Sequence, residues 1–170
     1  IRYIVIPIVD NGSFDNSYQE EDLIAFLIQQ EEFLRHKKLS ILFESDMSPN
    51  NLNNFIRKLS SNVFGINYDI GNSASLGFSP KEEIKLYGKR IYNVHVKDRK
   101  KGGITVPLGN GDADFTIVFK ELFKAGYQGN FILQTARASN EDHIGVIVKY
   151  RDLVFEYLNE FKFNNDDLLF

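Results

Sequence analysis

The chain has 170 residues, of which 43% are hydrophobic and 25% are charged, which is enough to bury a core and is typical of one globular unit. A net charge of −3 and a pI near 5.6 argue against a general binder of nucleic acid or membrane surfaces, because such proteins normally carry a basic excess. The absence of cysteine excludes a disulfide scaffold and a thiolate metal site, and it fits a reducing compartment.

The predicted elements alternate between strand and helix five times along the chain. Short apolar runs bounded by turn residues predict strands at residues 1–9, 40–44, 63–69, 91–96 and 130–134. Apolar residues at helical spacing predict helices at residues 20–37, from Ser48-Pro49 to about 59, from Ser79-Pro80 to about 88, from 115 to Gly126, and 141–160. Residues 70–78 and 97–114 are predicted to be loops, the second of them rich in glycine and cations.

The apolar pattern also predicts which surfaces are buried. Residues 1–9 form an almost unbroken apolar run, so we expect a parallel strand that is covered on both faces. The predicted buried stripe of the first helix contains Leu23, Phe26, Leu27, Phe33 and Leu34. The predicted stripe of the last helix contains Ile144, Ile147, Val148, Val154, Phe155 and Leu158. The tail, residues 161–170, is expected to dock or to fray.

The repeated strand-helix order indicates an α/β fold. Connections too long for hairpins require a parallel sheet with helices on its faces. No Gly-x-Gly-x-x-Gly follows the first strand, so the chain lacks the sequence sign of a dinucleotide-binding fold. Five units are three fewer than a closed eight-stranded barrel contains. We therefore expect part of such a barrel, with its open edges covered by N-terminal units or by a partner chain.

Four successive predicted strands end in a side chain that can bind a metal ion. These side chains are Glu44, Asp69, His95 and Gln134. A single polar residue at a strand end is usually just solvated, but the carboxyl ends of barrel strands build the active site, and four in succession predict a metal site. Oxygen and imidazole ligands suit Mn²⁺, Mg²⁺, Co²⁺ or Zn²⁺ alike. Such an ion could bind two adjacent sugar oxygens and stabilise an enediolate formed by proton removal next to a carbonyl.

Several motifs resemble the sugar phosphate isomerase/epimerase family, which consists of xylose isomerase-like TIM barrels. They are Tyr68-Asp69-Ile70-Gly71-Asn72, Asn93-Val94-His95-Val96-Lys97-Asp98, Val106-Pro107-Leu108-Gly109-Asn110-Gly111 and Gly126-Tyr127-Gln128-Gly129. The resemblance covers nearly the whole chain. It implies a (β/α)8 TIM barrel of which this chain supplies roughly the last five βα units, as a partial barrel. Residues 1–170 would then be a single domain that lacks its N-terminal βα units.

The resemblance also implies a ligand set and a catalytic pair. In this family one divalent ion is held by a glutamate, an aspartate, a histidine and a second glutamate, which correspond here to Glu44, Asp69, His95 and Gln134. We expect Mn²⁺, with Mg²⁺, Co²⁺ or Zn²⁺ as alternatives. The two glutamates of the epimerases act as paired acid and base, so Glu44 and Gln134 occupy the catalytic positions. An amide can bind a metal but cannot exchange a proton at neutral pH, which favours one-base chemistry through Glu44.

Further residues near the strand ends are predicted to bind substrate. Lys97 and Arg137 are expected to contact a phosphate or carboxylate, while Asn72 and Ser73 are expected to bind hydroxyls. The alternative for Lys97 is an ion pair with Asp98 or with a ligand carboxylate. Asp10 ends the first strand on the same rim and could bind a sugar hydroxyl or simply form a turn.

The predicted function is a metal-dependent isomerase or epimerase of a small sugar or sugar phosphate. Glu44 would abstract a proton next to a carbonyl, through a metal-stabilised enediolate. The alternatives are a dehydratase and a catalytically silent relative that binds sugar and metal, because Gln134 replaces the second glutamate. Three histidines and an acidic chain argue against the multi-zinc DNA-repair nucleases of the same superfamily. We expect a cytoplasmic protein with no nucleic-acid or membrane partner, for which a homo-oligomer is one option.

Overall fold

The computed structural model describes residues 1–138 and 141–162, and its centre is one parallel sheet. The strands of this sheet are β1 (Tyr3–Ile8), β2 (Ser40–Ser45), β3 (Phe64–Asp69), β4 (Ile91–Val96) and β7 (Asn130–Leu133). They lie in the order β1-β2-β3-β4-β7, and each neighbouring pair is parallel. The prediction of a parallel α/β sheet is confirmed. Residues 163–170 of the predicted tail lie outside the described residues, so the prediction that the tail docks or frays stays a prediction.

Helices connect the strands. They are α1 (Ser17–Lys37), α2 (Pro49–Arg57), α3 (Ile70–Leu76), α4 (Pro80–Tyr87), α5 (Phe115–Lys124) and α6 (His143–Glu160), with single 3-10 turns at Asp10–Gly12 and Gly88–Arg90. Five of these helices begin after a residue whose side chain accepts a backbone N–H of the first turn: Asn16, Ser48, Asp69, Asp114 and Asp142. Such capping satisfies N–H groups that have no partner inside the helix.

Two predicted loops contain regular structure. Residues 70–78 include α3, which Asp69 caps at its start and which Gly77 ends with a φ of +73°, a conformation that glycine adopts without strain. Residues 97–114 include an antiparallel pair, β5 (Asp98–Arg99) and β6 (Thr105–Val106). The loop prediction was wrong for residues 70–76 and missed the two short strands within residues 97–114, because polar, glycine-containing segments this short give little hydrophobic periodicity.

The burial of the terminal elements also differs from the predictions. Ile4 and Val5 of β1 are 42% and 36% exposed, because this strand lies at the edge of the sheet and, among the described strands, pairs with β2 alone. Leu27 and Leu34 of the predicted α1 stripe are buried, as is Ile24, whereas Phe26 and Phe33 are 57% and 55% exposed.

In α6 only the second half of the predicted stripe is buried. Val154 and Leu158 are buried, whereas Ile144, Ile147 and Val148 are exposed. The helix packs against α5 and β7.

The core lies between the sheet and its helices. Phe43 of β2, Phe55 of α2 and Phe64 of β3 are fully buried, and the ring centroids of Phe43 and Phe55 lie 5.0 Å apart in an edge-to-face contact. Phe43 and Phe64 lie on the face of the sheet that packs against the helices, and along their strands they alternate with the residues of the opposite face. Among the described helices, none has the length and apolar character needed to cross a membrane.

Candidate metal centre

The three predicted ligands Glu44, Asp69 and His95 lie at the carboxyl ends of adjacent parallel strands. Asp69 of β3 is the direct neighbour of His95 in β4, and Glu44 lies one residue before the end of β2. Because side chains alternate between the two faces of a strand, Asp69 and His95 project from the same face as the residues two positions before them.

The ligand atoms of these three side chains converge. One ligand atom from each residue lies within 4.8 Å of the others. Nδ1 of His95 is 3.3 Å from Oε2 of Glu44 and 3.8 Å from Oδ2 of Asp69. Two ligands that each bind an ion at about 2.1 Å, roughly at right angles, are about 3 Å apart. The three residues therefore fit a single divalent ion.

The electrostatics of the centre favour a cation. The side chains of Glu44, Asp69 and His95 are 13%, 1% and 15% exposed. Burial alone would raise the pKa of Asp69, but the adjacent imidazole of His95, together with the charge of Lys97 and its hydrogen bond, brings this pKa below the ordinary value. Burial would lower the pKa of His95, yet the adjacent carboxylates of Asp69 and Glu44 and their negative charges raise it to about 9. The field at the imidazole therefore favours positive charge strongly.

Asp69 is held from two sides. Its Oδ1 accepts the backbone N–H of Asn72 at 2.8 Å, which makes Asp69 the N-cap of α3. Its Oδ2 accepts a hydrogen bond of 2.9 Å from Nζ of Lys97. The stem of Lys97 passes next to Gly71, where an added Cβ would lie 2.6 Å from Cγ of the lysine. Lys97 thus forms the ion pair with a ligand carboxylate that the sequence left as an alternative to substrate binding.

The sequence did not single out two asparagines, Asn67 and Asn93, that lie next to the ligands. Nδ2 of Asn67 lies 2.8 Å from Oε2 of Glu44 and 3.1 Å from Nδ1 of His95. Oδ1 of Asn67 accepts a hydrogen bond of 2.6 Å from Asn93. The signal that could have found both is the two-residue period, because Asn67 precedes Asp69 and Asn93 precedes His95 by two positions.

Gln134 and Arg137, two other predicted site residues, are exposed and follow β7. Gln134 is exposed at the end of β7, where its backbone N–H donates to Val96 at 3.0 Å; its side chain makes no hydrogen bond with the three ligands among the described residues. Register places Ile132 beside His95, so Gln134, two residues later, shares the face of the ligands. Arg137 is exposed three residues farther along.

Ser73 and Asp10 lie away from the ligands. Ser73 is 5% exposed and its hydroxyl donates to the carboxylate of Glu83, on the helix side of the sheet. Asp10 is exposed in a 3-10 turn with a φ of +50°, and its backbone N–H donates to Asp46 at 3.0 Å. Asn72, in contrast, reaches the centre directly, since its Nδ2 donates to Oε1 of Glu44 at 2.8 Å.

Comparisons with known proteins agree with this architecture. The family model described as xylose isomerase-like TIM barrel matches residues 32–149. L-ribulose-5-phosphate 3-epimerase UlaE of Shigella boydii serotype 18 is 36% identical over 87 residues, which cover 51% of this chain and 31% of that relative. The matching enzyme of Escherichia coli K12 is 34% identical over the same length. The aligned segment is thus about a third of these curated relatives.

Solved structures show the same fold at low identity. The IOLI protein with a binding zinc atom has a TM-score of 0.77 and 13% identity, and the match covers 94% of this chain and 64% of that one. A D-tagatose 3-epimerase-like protein has a TM-score of 0.72 and 22% identity, with coverage of 95% and 63%. A xylose isomerase-like TIM barrel protein of Mycobacterium smegmatis in complex with magnesium gives 0.67 and 18%, with coverage of 90% and 54%. These likenesses confirm a TIM-barrel fold, of which this chain forms a part.

Proposed function

Since this chain belongs to the xylose isomerase-like TIM barrel family, we propose that it is part of a metal-dependent isomerase or epimerase of a small sugar or sugar phosphate. The observation that carries the proposal is the convergence of Glu44, Asp69 and His95 within 4.8 Å at the strand ends. The similarity to proteins named L-ribulose-5-phosphate 3-epimerase supports the same class of reaction.

We infer that one divalent ion binds at Glu44, Asp69 and His95, with the amide oxygen of Gln134 as a fourth ligand. Two carboxylates and one imidazole are ligands that Mn²⁺ accepts, and Mg²⁺, Co²⁺ and Zn²⁺ are alternatives. When bound, such an ion supplies positive charge that stabilises negative oxygen on a substrate that is losing a proton from the adjacent carbon.

The other residues of the site are proposed to act as the base, to hold the base in place, or to bind the substrate. Glu44 is the proposed base, and hydrogen bonds from Asn67 and Asn72 hold its two oxygens in a fixed direction. Lys97 neutralises Asp69, which leaves Arg137 as the proposed contact for a substrate anion. Asn72 and Asp10 remain the proposed contacts for substrate hydroxyls, with Asn72 the nearest to the ligands, whereas the Ser73 hydroxyl is directed at Glu83 instead.

Gln134 favours a second candidate, a catalytically silent protein that binds sugar and metal. An amide at the position of the second glutamate cannot return a proton to the opposite face of a substrate carbon. One-base isomerisation or dehydration through Glu44 needs no such second group.

A cytoplasmic location, a single domain, the lack of nucleic-acid and membrane partners, and homo-oligomer formation remain predictions.

Proton exchange separates the two candidates. Incubation of the Mn²⁺-loaded protein with L-ribulose 5-phosphate or D-tagatose in D₂O should place deuterium next to the carbonyl, as followed by NMR. Glu44→Gln should abolish exchange, while Glu82→Gln, an exposed glutamate of α4, should leave it unchanged. Undiminished exchange in Glu44→Gln would refute the base assignment. Metal and sugar binding with no exchange, restored by Gln134→Glu, would favour the silent protein.

A further inference from the structure

Arg99 makes an unusual set of contacts for a cation beside an acidic centre. Within the described part of the chain its guanidinium contacts no carboxylate. Its Nη1 donates to Oδ1 of Asn72 at 2.8 Å, and its Nε and Nη2 donate to the carbonyl oxygen of Gly103 at 3.1 and 2.7 Å. The three donor nitrogens of the guanidinium therefore bind one side-chain amide and one backbone carbonyl.

The contact with Arg99 determines which way the Asn72 amide points. A guanidinium has only donors, so it can face only the oxygen of an amide. With Oδ1 directed at Arg99, Nδ2 of Asn72 is directed at Oε1 of Glu44, to which it donates at 2.8 Å. The opposite orientation would bring two donors together at Arg99 and two acceptors together at Glu44.

The second oxygen of Glu44 is fixed independently. Asn67 donates to Oε2 at 2.8 Å, and this oxygen lies 3.3 Å from Nδ1 of His95. The carboxylate thus has one oxygen directed at the histidine and the other held by Asn72. Loss of the Asn72 contact frees the group to rotate about its last bond.

We propose that Arg99 is a positioning residue that sets the direction of the Glu44 carboxylate through the Asn72 amide. The inference rests on the proposed function only where it treats Glu44 as a ligand and base. It assigns a role to the β5–β6 pair, because Arg99 belongs to β5 and its second partner, Gly103, lies in the turn that leads to β6.

The backbone around Arg99 is attached to the same helix as Asn72. The N–H of Gly102 donates to the carbonyl of Ser75 in α3 at 2.8 Å. The carbonyl of Arg99 accepts the N–H of Asp112 at 2.9 Å. Arg99 and Asn72 therefore keep a fixed separation. The planar fork of arginine spans Gly103 and Asn72 at once, which the single ammonium of lysine cannot reproduce.

The test compares Arg99→Gln and Arg99→Lys with Arg57→Gln, an exposed arginine in the last turn of α2. Calorimetric titration with Mn²⁺ should show affinity reduced about 10- to 100-fold in Arg99→Gln, a typical loss when a group that orients a ligand is removed. Arg57→Gln should bind like the wild type. In the Asn72→Ala background, Arg99→Gln should cause no further loss, because both changes interrupt the same chain of hydrogen bonds.

A second measurement does not depend on metal or activity. The side-chain N–H₂ resonances of Asn72, assigned by their loss in Asn72→Ala, should shift in Arg99→Gln and Arg99→Lys and remain in place in Arg57→Gln. Unshifted resonances, or losses of affinity that multiply in the double variant, would overturn the proposal. If Arg99→Gln does not fold, Arg99→Lys gives both readouts. If the wild type binds no Mn²⁺, the proposed function fails, and the resonances alone decide the role of Arg99.

Discussion

At the scale of single residues, Asn67 is the group that serves two ligands at once. Its amide nitrogen lies within 3.1 Å of both Oε2 of Glu44 and Nδ1 of His95, while its oxygen accepts from Asn93. The amide serves Glu44 and Asn93 together because it carries N–H donors and a carbonyl acceptor on one group. Asn67 therefore fixes the Glu44 carboxylate directly beside Nδ1 of His95.

Replacement of Asn67 by leucine should weaken metal binding without unfolding the protein. Leucine has nearly the same volume but cannot donate to Oε2 of Glu44, so we expect Mn²⁺ affinity to fall by about 10-fold or more. The measurement is a calorimetric titration, with Asn54→Leu on the surface of α2 as the control. Equal affinity in Asn67→Leu and the wild type would show that Asn67 has no part in the centre.

Glu83 is a buried carboxyl group on the helix side of the same strand ends. It is 3% exposed and accepts hydrogen bonds from the hydroxyls of Tyr68, Ser73 and Tyr87. Burial raises its pKa above the ordinary 4.5, although the three hydroxyls act to lower it. Burial also raises the pKa of both tyrosines, so they stay neutral beside it.

The raised pKa of Glu83 predicts a dependence of stability on pH. The folded protein binds this proton more tightly than the unfolded chain, so the stabilisation is fully present below pH 4.5 and is lost as pH rises through the folded pKa. Glu83→Gln should remove this component, so its free energy of unfolding should rise relative to the wild type as the pH increases. Denaturant titrations from acid to neutral pH measure the difference, with the exposed Glu82→Gln as the control. If the free energies of unfolding of Glu83→Gln and the wild type differ by the same amount at every pH in this range, the predicted role of Glu83 is contradicted.

The ligands were predictable from sequence, whereas their supports were not. Glu44, Asp69 and His95 could be found because each directly ends an apolar run, and parallel strands bring such ends together. Asn67 lies inside a run, so the two-residue period before Asp69 indicates the face it shares with the ligand but not its contacts. The contact of Arg99 with Asn72 depends on how residues 98–106 fold, and no periodicity in the sequence predicts that fold.

At the scale of elements, the segment from β5 to α5 is organised by Asp98. This carboxylate is 1% exposed and accepts the backbone N–H groups of Gly109, Gly111 and Ala113 at 2.9, 2.8 and 3.2 Å. A Cβ on Gly111 would collide with Asp98, so the close approach requires glycine there. One buried charge thus supplies the hydrogen bonds that regular structure would otherwise provide.

Asp98→Ala should loosen this segment. Three backbone N–H groups would lose a charged acceptor, and we expect a loss of about 2–3 kcal/mol in local stability. Hydrogen exchange of residues 107–113 should accelerate, while exchange in β2 and β3 should change little. Asp152→Ala, on the exposed face of α6, is the matched control. Unchanged protection of residues 107–113 would show that Asp98 does not hold the segment.

Elements were predicted best where apolar periodicity is long. The parallel strands and the longer helices were found to within a few residues at their ends. In α3 the helix is set by the Asp69 cap and by Gly77, and only two large apolar residues, Ile70 and Leu76, occur in it. The bounds of this short helix therefore depend on capping interactions, which apolar periodicity does not reveal.

At the scale of the whole molecule, the five-stranded sheet is part of a barrel. Within residues 1–138 and 141–162, β1 and β7 each pair on one side only, and Ile4, Val5 and Ile132 are exposed on them. The strand order followed from the strand-helix repeat, because right-handed crossovers place successive parallel strands side by side. The exposure of the edges could not be read from the apolar runs, which look alike in central and edge strands. Every proposed ligand except Gln134 lies on the three consecutive strands β2, β3 and β4.

The most direct test of the account is anomalous X-ray scattering from a crystal of this chain soaked in Mn²⁺. The account predicts one strong peak about 2.0–2.4 Å from carboxylate oxygens of Glu44 and Asp69 and from a nitrogen of His95. The peak should vanish in His95→Ala crystals prepared in the same way. A wild-type map with no peak among these three residues, or with their side chains directed into separate pockets, would contradict the account.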